Sequence, residues 1–161
     1  MSVKIDISEN AREIARQLRE FPADMARGVA AAMDSQNQLA IGHITSRKLS
    51  SRGPTTLGVV TGRLRGSIRA TRASAGTSGV ESSIGTNVKY AGAHEYGSKP
   101  HVIRPRNGKF LRFSGRNGVV FARFVNHPGT PARAPIGTGI EERKDNYSQA
   151  ISKAIEEAWT R

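Results

Sequence analysis

Lys109-Phe110-Leu111-Arg112-Phe113-Ser114-Gly115-Arg116-Asn117-Gly118-Val119-Val120-Phe121-Ala122-Arg123-Phe124-Val125 reads as two strands and the turn that joins them. Residues 109–114 and 119–125 are rich in the β-branched and aromatic side chains that suit a pleated ribbon. Between them, Asn117-Gly118 tolerates the positive φ angles of a tight hairpin turn. Four of the five phenylalanines, Phe110, Phe113, Phe121 and Phe124, fall on these two strands. Side chains of this kind anchor a core or a subunit interface, core being the more frequent use. Whether this hairpin belongs to the core or is an arm reaching a neighbour stays open at this level.

Working upstream, Ser67 to Ala73 and Val80 to Thr86 flank the small-residue stretch Ser74-Ala75-Gly76-Thr77-Ser78-Gly79, a second hairpin. The texture before it is helical. Val3 to Ile7 alternates as a short strand does, and Ser8 is placed to cap a short helix carrying Ala11, Ile14, Ala15 and Leu18. Phe21-Pro22 restarts the pattern, with Met25, Val29, Met33, Gln36/Asn37, Ala40 and Ile44 on one face up to about Lys48. Downstream of the hairpins, Ile140, Tyr147, Ile151, Ile155 and Ala158 recur at helical spacing, and Glu141, Glu142 and Asp145 complement the dipole near that helix start. Helices, hairpins and a closing helix predict an α+β domain, an antiparallel sheet of hairpins packed by a long N-terminal helix and a C-terminal helix. The expected divisions are helical 8–48, loop 49–60, β-rich 61–126, and a proline-rich lead with the last helix over 127–161.

A chain of 161 residues is the length of one ordinary domain. The absence of cysteine excludes disulfides and thiolate metal sites. No apolar run approaches the roughly eighteen residues of a membrane span, and no export signal is read at the N-terminus, so a soluble protein assembled in a bacterial cytoplasm is expected. The formal charge is +12, and segments 1–56, 57–135 and 136–161 contribute +2, +11 and −1. Such a basic centre attracts polyanions, nucleic acid being the commonest, through salt-sensitive backbone contacts. Solubilising a sheet or pairing with acidic proteins is the plainer use.

Three separated pieces resemble the tail-completion and neck (head–tail joining) proteins of long-tailed bacteriophages, a family that includes virion-morphogenesis proteins. Thr61-Gly62-Arg63-Leu64-Arg65-Gly66-Ser67-Ile68 is similar to the family's opening to its first hairpin. Ile84-Gly85-Thr86-Asn87-Val88-Lys89-Tyr90-Ala91-Gly92-Ala93-His94-Glu95-Tyr96-Gly97 is similar to its "G-T-N-V-x-Y-A-x-x-x-E-x-G" pattern. His127-Pro128-Gly129-Thr130-Pro131-Ala132-Arg133-Ala134-Pro135 resembles its proline-rich lead into the last helix. Read physically, Val88 ends a strand, and Tyr90 to Tyr96 forms a helical turn. Tyr90, Ala91 and His94 share one face of that turn and Glu95 points to the neighbouring one. The chain departs from the family in reading Arg133-Ala134-Pro135-Ile136 where an aromatic residue and a leucine follow an Arg-Pro pair. It is also longer between Gly97 and His127.

The resemblance implies a passive structural role in the virion, at the junction of head and tail. Such subunits form rings, often six-membered, that cap the tail tube and meet the head connector or adaptor on one side and the tail terminator or tube protein on the other. Double-stranded DNA passes through, and no catalytic residue, metal or cofactor is implied. Arg63, Arg65, Arg69, Arg72, Arg104, Arg106, Arg112, Arg116 and Arg123 are the candidates to line that channel or to face acidic partners. Two other classes compete. A metal-dependent hydrolase would rest on His94, Glu95, His101 and His127, whose spacing matches no metal motif. A free-standing basic DNA-binding protein would suit the charge, but its best helices lie in the near-neutral ends.

Overall fold

The computed structural model describes residues 2–3, 23–54, 56–76, 79–115 and 118–160. The helix expected behind Ser8 and the turn residues Arg116 and Asn117 lie outside them. The described elements are β1 (Ser2–Val3), α1 (Ala23–His43), α2 (Arg63–Ser67), β2 (Arg69–Ala70), β3 (Ser74–Gly76), β4 (Gly79–Glu81), β5 (Ile84–Gly85), α3 (Ala91–Glu95), β6 (His101–Ile103), β7 (Leu111–Gly115), β8 (Gly118–Ala122), β9 (Val125–His127), α4 (Pro135–Glu141) and α5 (Lys144–Trp159). The fold is α+β, with small antiparallel sheets and long helices at both ends.

Helix α1 forms the spine because its apolar residues return every three or four positions. Met25, Val29, Met33, Asn37, Ala40 and Ile44 are all buried. One side of α1 packs along α5 and another against β2, β3 and β4. The helix ends in a π-helical turn, Ile44–Lys48, in which Leu49 N–H reaches the Ile44 carbonyl. Thr45 and Ser46 explain the widening: their hydroxyls donate to the carbonyls of Ile41 and Gly42, competing with the α-helical ladder. Helix α4 crosses this turn closely, and a Cβ at Gly139 would stand 2.6 Å from Ile44 Cγ1.

The hairpin over 67–86 is antiparallel as expected, but Ser74–Gly76, expected in its turn, is paired strand, and the pairing has one interruption. Arg69 opposes Gly85 and Ala70 opposes Ile84, whereas Ser74 opposes Glu81. Three residues, 71–73, therefore face two, 82–83, which is a β-bulge. Helix α1 inserts at the bulge. Asp34 Oδ1 accepts the Ala73 N–H at 2.7 Å, and Asn37 Nδ2 donates to Ser82 Oγ at 2.9 Å. From the other side, the buried Tyr147 hydroxyl donates to Asn37 Oδ1 at 2.7 Å. A polar relay thus crosses the core from α5 through α1 to the hairpin, with each buried group satisfied. Of the strand expected over Val3 to Ile7, residues 4–7 lie outside the described residues; Ser2–Val3 pairs with β5.

The closing helical segment is two helices. Helix α4 ends at Glu141, Arg143 N–H turns back to the Ile140 carbonyl, and α5 begins at Lys144. At that corner Glu142 accepts from Lys48 Nζ and from His43 Nε2. These two hydrogen bonds hold the Glu142 carboxyl below the usual carboxylate range. No described helix is long and apolar enough to cross a membrane.

Candidate functional site

The three motif segments, far apart in sequence, converge around α3. Ser67 Oγ and Thr86 Oγ1 lie 2.6 Å apart, tying the first segment to the second. Thr86 Oγ1 also accepts the Val88 N–H at 3.1 Å, turning the chain out of β5 toward α3. The second and third segments meet through Glu95. Its carboxylate is buried and accepts Ile136 N–H at 3.0 Å and Gly137 N–H at 2.7 Å. These amides belong to the first turn of α4, which has no intrahelical acceptor for them. Residues 94 and 95 therefore start α4 together, since the His94 carbonyl accepts the N–H groups of Arg133 and Ala134. Pro135 occupies the first position of α4, where its missing N–H costs nothing.

Gly97 and Gly129 flank the next closure, where Ser98 and Thr130 exchange both backbone hydrogen bonds. Both glycines have positive φ, at 76° and 89°. A Cβ at Gly97 would stand 2.8 Å from the Thr130 carbonyl oxygen, and one at Gly129 would overlap that of Ser98. Only glycine meets both demands here. His127 Nδ1 accepts the Gly129 N–H at 3.0 Å, and Pro128 precedes it, so the family-like lead is a rigid clasp at this point. Tyr90 and His94 share one face of α3, their rings edge to face at 6.1 Å. Ala91, expected on that face, is instead buried with Glu95, because the helical turn rotates both inward. Val88, expected to end a strand, is buried in coil beyond β5. Asn87 is exposed beside it.

Beyond the clasp the chain leaves the body. Among the described residues between Tyr96 and Ala134, none is buried. His101–Ile103 pairs with Val125–His127, and His101 stacks on His127 at 5.0 Å. After seven residues on one side and two on the other, Leu111–Gly115 pairs with Gly118–Ala122. At the joint Arg104 lies over the Phe124 ring and Arg123 over the Phe110 ring, at 5.7 and 5.9 Å. Directly opposed residues share a face, so Leu111, Phe113, Val120 and Ala122 form an entirely apolar one. Arg112, Ser114, Val119 and Phe121 form the other. The phenylalanines are not core residues. Phe113 and Phe121 are 43% and 64% exposed because no third layer covers the ribbon.

Comparison with protein-family models, with curated proteins and with solved structures finds no match.

The basic residues fall into two groups. Arg104, Arg106, Arg112 and Arg123 are on the arm and exposed, and Arg116 lies outside the described residues. From 98 to 130 the chain carries seven Lys/Arg and no Asp or Glu. On the body, Arg69 donates to the carbonyls of Gly66 and Ile68, and Arg72 approaches Asp34 at 3.9 Å. Arg63 and Arg65 border an open cleft of about 620 Å³ with Arg52 and Arg133. Its apolar wall includes Leu57, Val60, Leu64 and Tyr90, with Thr61 and Gly62 on the rim, and no carboxylate lines it. The basic 57–135 segment marks the arm arginines as well as Arg63, Arg65, Arg69 and Arg72, but Arg52 lies outside it and the cleft itself has no linear signature. His94 also borders it, its Nδ1 buried without a partner, and burial and then the Arg133 charge keep its pKa below the ordinary value. Among the described residues no three of His, Asp and Glu gather where they could hold a metal.

Proposed function

We propose that this chain is a structural subunit of a tailed bacteriophage particle, a ring-forming tail-completion or neck protein that joins tail to head and lets DNA pass. The observation that carries the reading is the arm, a basic two-stranded ribbon with an uncovered apolar face on a tightly clasped base. A lone two-stranded ribbon is marginally stable in water. Covering a Phe or Val side chain fully contributes roughly 1.5–3 kcal/mol, which this ribbon gains only against another surface. Eight exposed large apolar residues on the arm exceed the scatter ordinary for a monomer. The likeness of the three segments to the neck family adds support, because all three contribute to the body and clasp that hold the arm in place.

In this reading the arm seats on neighbouring subunits or on the adjacent ring of connector or tail protein, and its arginines serve that contact and the passing DNA. Contact with DNA in a channel is sequence-blind and weak, touching phosphates only. Size-exclusion chromatography with negative-stain imaging of the full chain tests the reading. Closed rings, formed alone or on adding tail proteins, are expected.

A second reading rests on the seven Lys/Arg of the arm, unrelieved by any acid. It makes the chain a free-standing basic DNA-binding protein. A persistent monomer that binds duplex DNA tightly, with a steep salt dependence, is its signature.

A further inference from the structure

The body carries two unlike exposed features at opposite ends of the α1–α5 pair. Arg143 reaches Gln36, Tyr147 reaches Asn37, and the Ala154 carbonyl lies beside Gly28, so the two helices run antiparallel. The end of α5 is therefore near the start of α1, and the arginine-bordered cleft is near the other end, beside Leu49. With 21 residues in α1, the two features are about 30 Å apart.

The cleft has apolar walls and four arginines on its border, and none of Arg52, Arg63 or Arg133 has a carboxylate partner among the described residues. At the end of α5, Trp159 is 74% exposed and Glu156, three residues earlier on the same face, is exposed beside it. An indole flanked by a carboxylate complements apolar walls flanked by guanidinium groups. We propose that the Trp159 side chain of one copy docks in the arginine-bordered cleft of the next copy, with Glu156 meeting Arg63 and its neighbours. Phosphates of nucleic acid fit less well, because they take up the arginines and leave Val59, Val60 and Leu64 uncovered.

Such a contact is heterologous. One end of each copy meets the other end of the next, which closes a ring or extends a filament according to the rotation per step. The inference rests on the ring reading and supplies one lateral contact for it.

Trp159 is the chain's only tryptophan, so its fluorescence in the full-length protein reads the contact directly. As concentration rises and copies associate, its emission shifts to the blue and acrylamide quenching falls several-fold. Arg63→Glu and Glu156→Arg each weaken association by roughly tenfold or more. Mixing these two variants restores it, because each unlike junction again pairs opposite charges. Association with Trp159 still fully quenchable overturns the docking while leaving the ring reading intact. A chain that stays monomeric at every concentration, alone and with tail proteins added, overturns both. Loss of duplex binding in Arg63→Glu with no response from Trp159 makes the cleft a phosphate site and also overturns the docking.

Discussion

The Glu95 carboxylate accepts the Gly137 N–H at 2.7 Å, joining two segments 42 residues apart in sequence. With the Ile136 contact it satisfies two amides at the start of α4 and fixes where the last helices begin. Hydrogen bonds to a charged group are worth about 1.5–3 kcal/mol each, and a buried amide left without an acceptor adds its own penalty. Glu95→Ala is therefore expected to lower stability by roughly 3 kcal/mol or more in urea denaturation. Glu95→Gln keeps one acceptor and is expected to lose about half as much. Wild-type stability in the alanine variant would remove Glu95 from the account.

Gly129 is expected to resist substitution for a separate reason. Gly129→Ala places a Cβ against the Ser98 carbonyl in a backbone conformation that L side chains rarely adopt. A loss of about 2 kcal/mol or more is expected, with hydrogen exchange accelerated at Ser98 and Thr130. Gly42→Ala is the control. It lies in α1 with nothing within 4 Å of the added Cβ, and it is expected to be neutral or stabilising by up to about 1 kcal/mol.

The arm and the core separate assembly from stability. Phe113→Ser with Phe121→Ser changes two exposed side chains and is expected to alter the free energy of unfolding by less than about 1 kcal/mol while abolishing oligomers in chromatography. Ile44→Ala removes a fully buried side chain and is expected to cost about 2–5 kcal/mol. If the double arm variant unfolds and Ile44→Ala does not, the assignment of core and arm is inverted.

Tyr147 supplies a pH dependence. Burial pushes its hydroxyl up to about 12 from the ordinary 10. The folded state therefore holds the proton more tightly than the unfolded state does. Its contribution is complete below pH 10 and is lost as pH rises from about 10 through about 12. Tyr147→Phe is expected to flatten the alkaline limb of a stability profile over that window and to cost about 1 kcal/mol at neutral pH from the lost bond to Asn37.

Much of the fold is legible in the sequence because its periods are clean. Met25 to Ile44 repeats at helical spacing, and the face so marked is the buried one. The ribbon over 111–122 is legible from its strands and its Asn-Gly pair. Its destination is not, because Leu111, Phe113, Val120 and Ala122 alternate in the same way whether or not a third layer lies over them. The corner at residues 142–143 is hidden for a different reason. Ile140 and Tyr147 stay in helical register across it, so the break is invisible to periodicity. At the candidate site, the sequence marks Glu95 and the two glycines, but not that they meet Gly137, Ser98 and Thr130. Those contacts are made by segments brought together only in the folded chain. The cleft beside Leu49 is likewise assembled from four separate stretches.

Immunogold electron microscopy of tailed particles released by cells that carry this gene, with antibody raised against the chain, tests the central claim most directly. Gold at the head–tail junction, together with unjoined heads and tails when the gene is deleted, is the expected result. Particles that carry no label and join normally without the chain would contradict it.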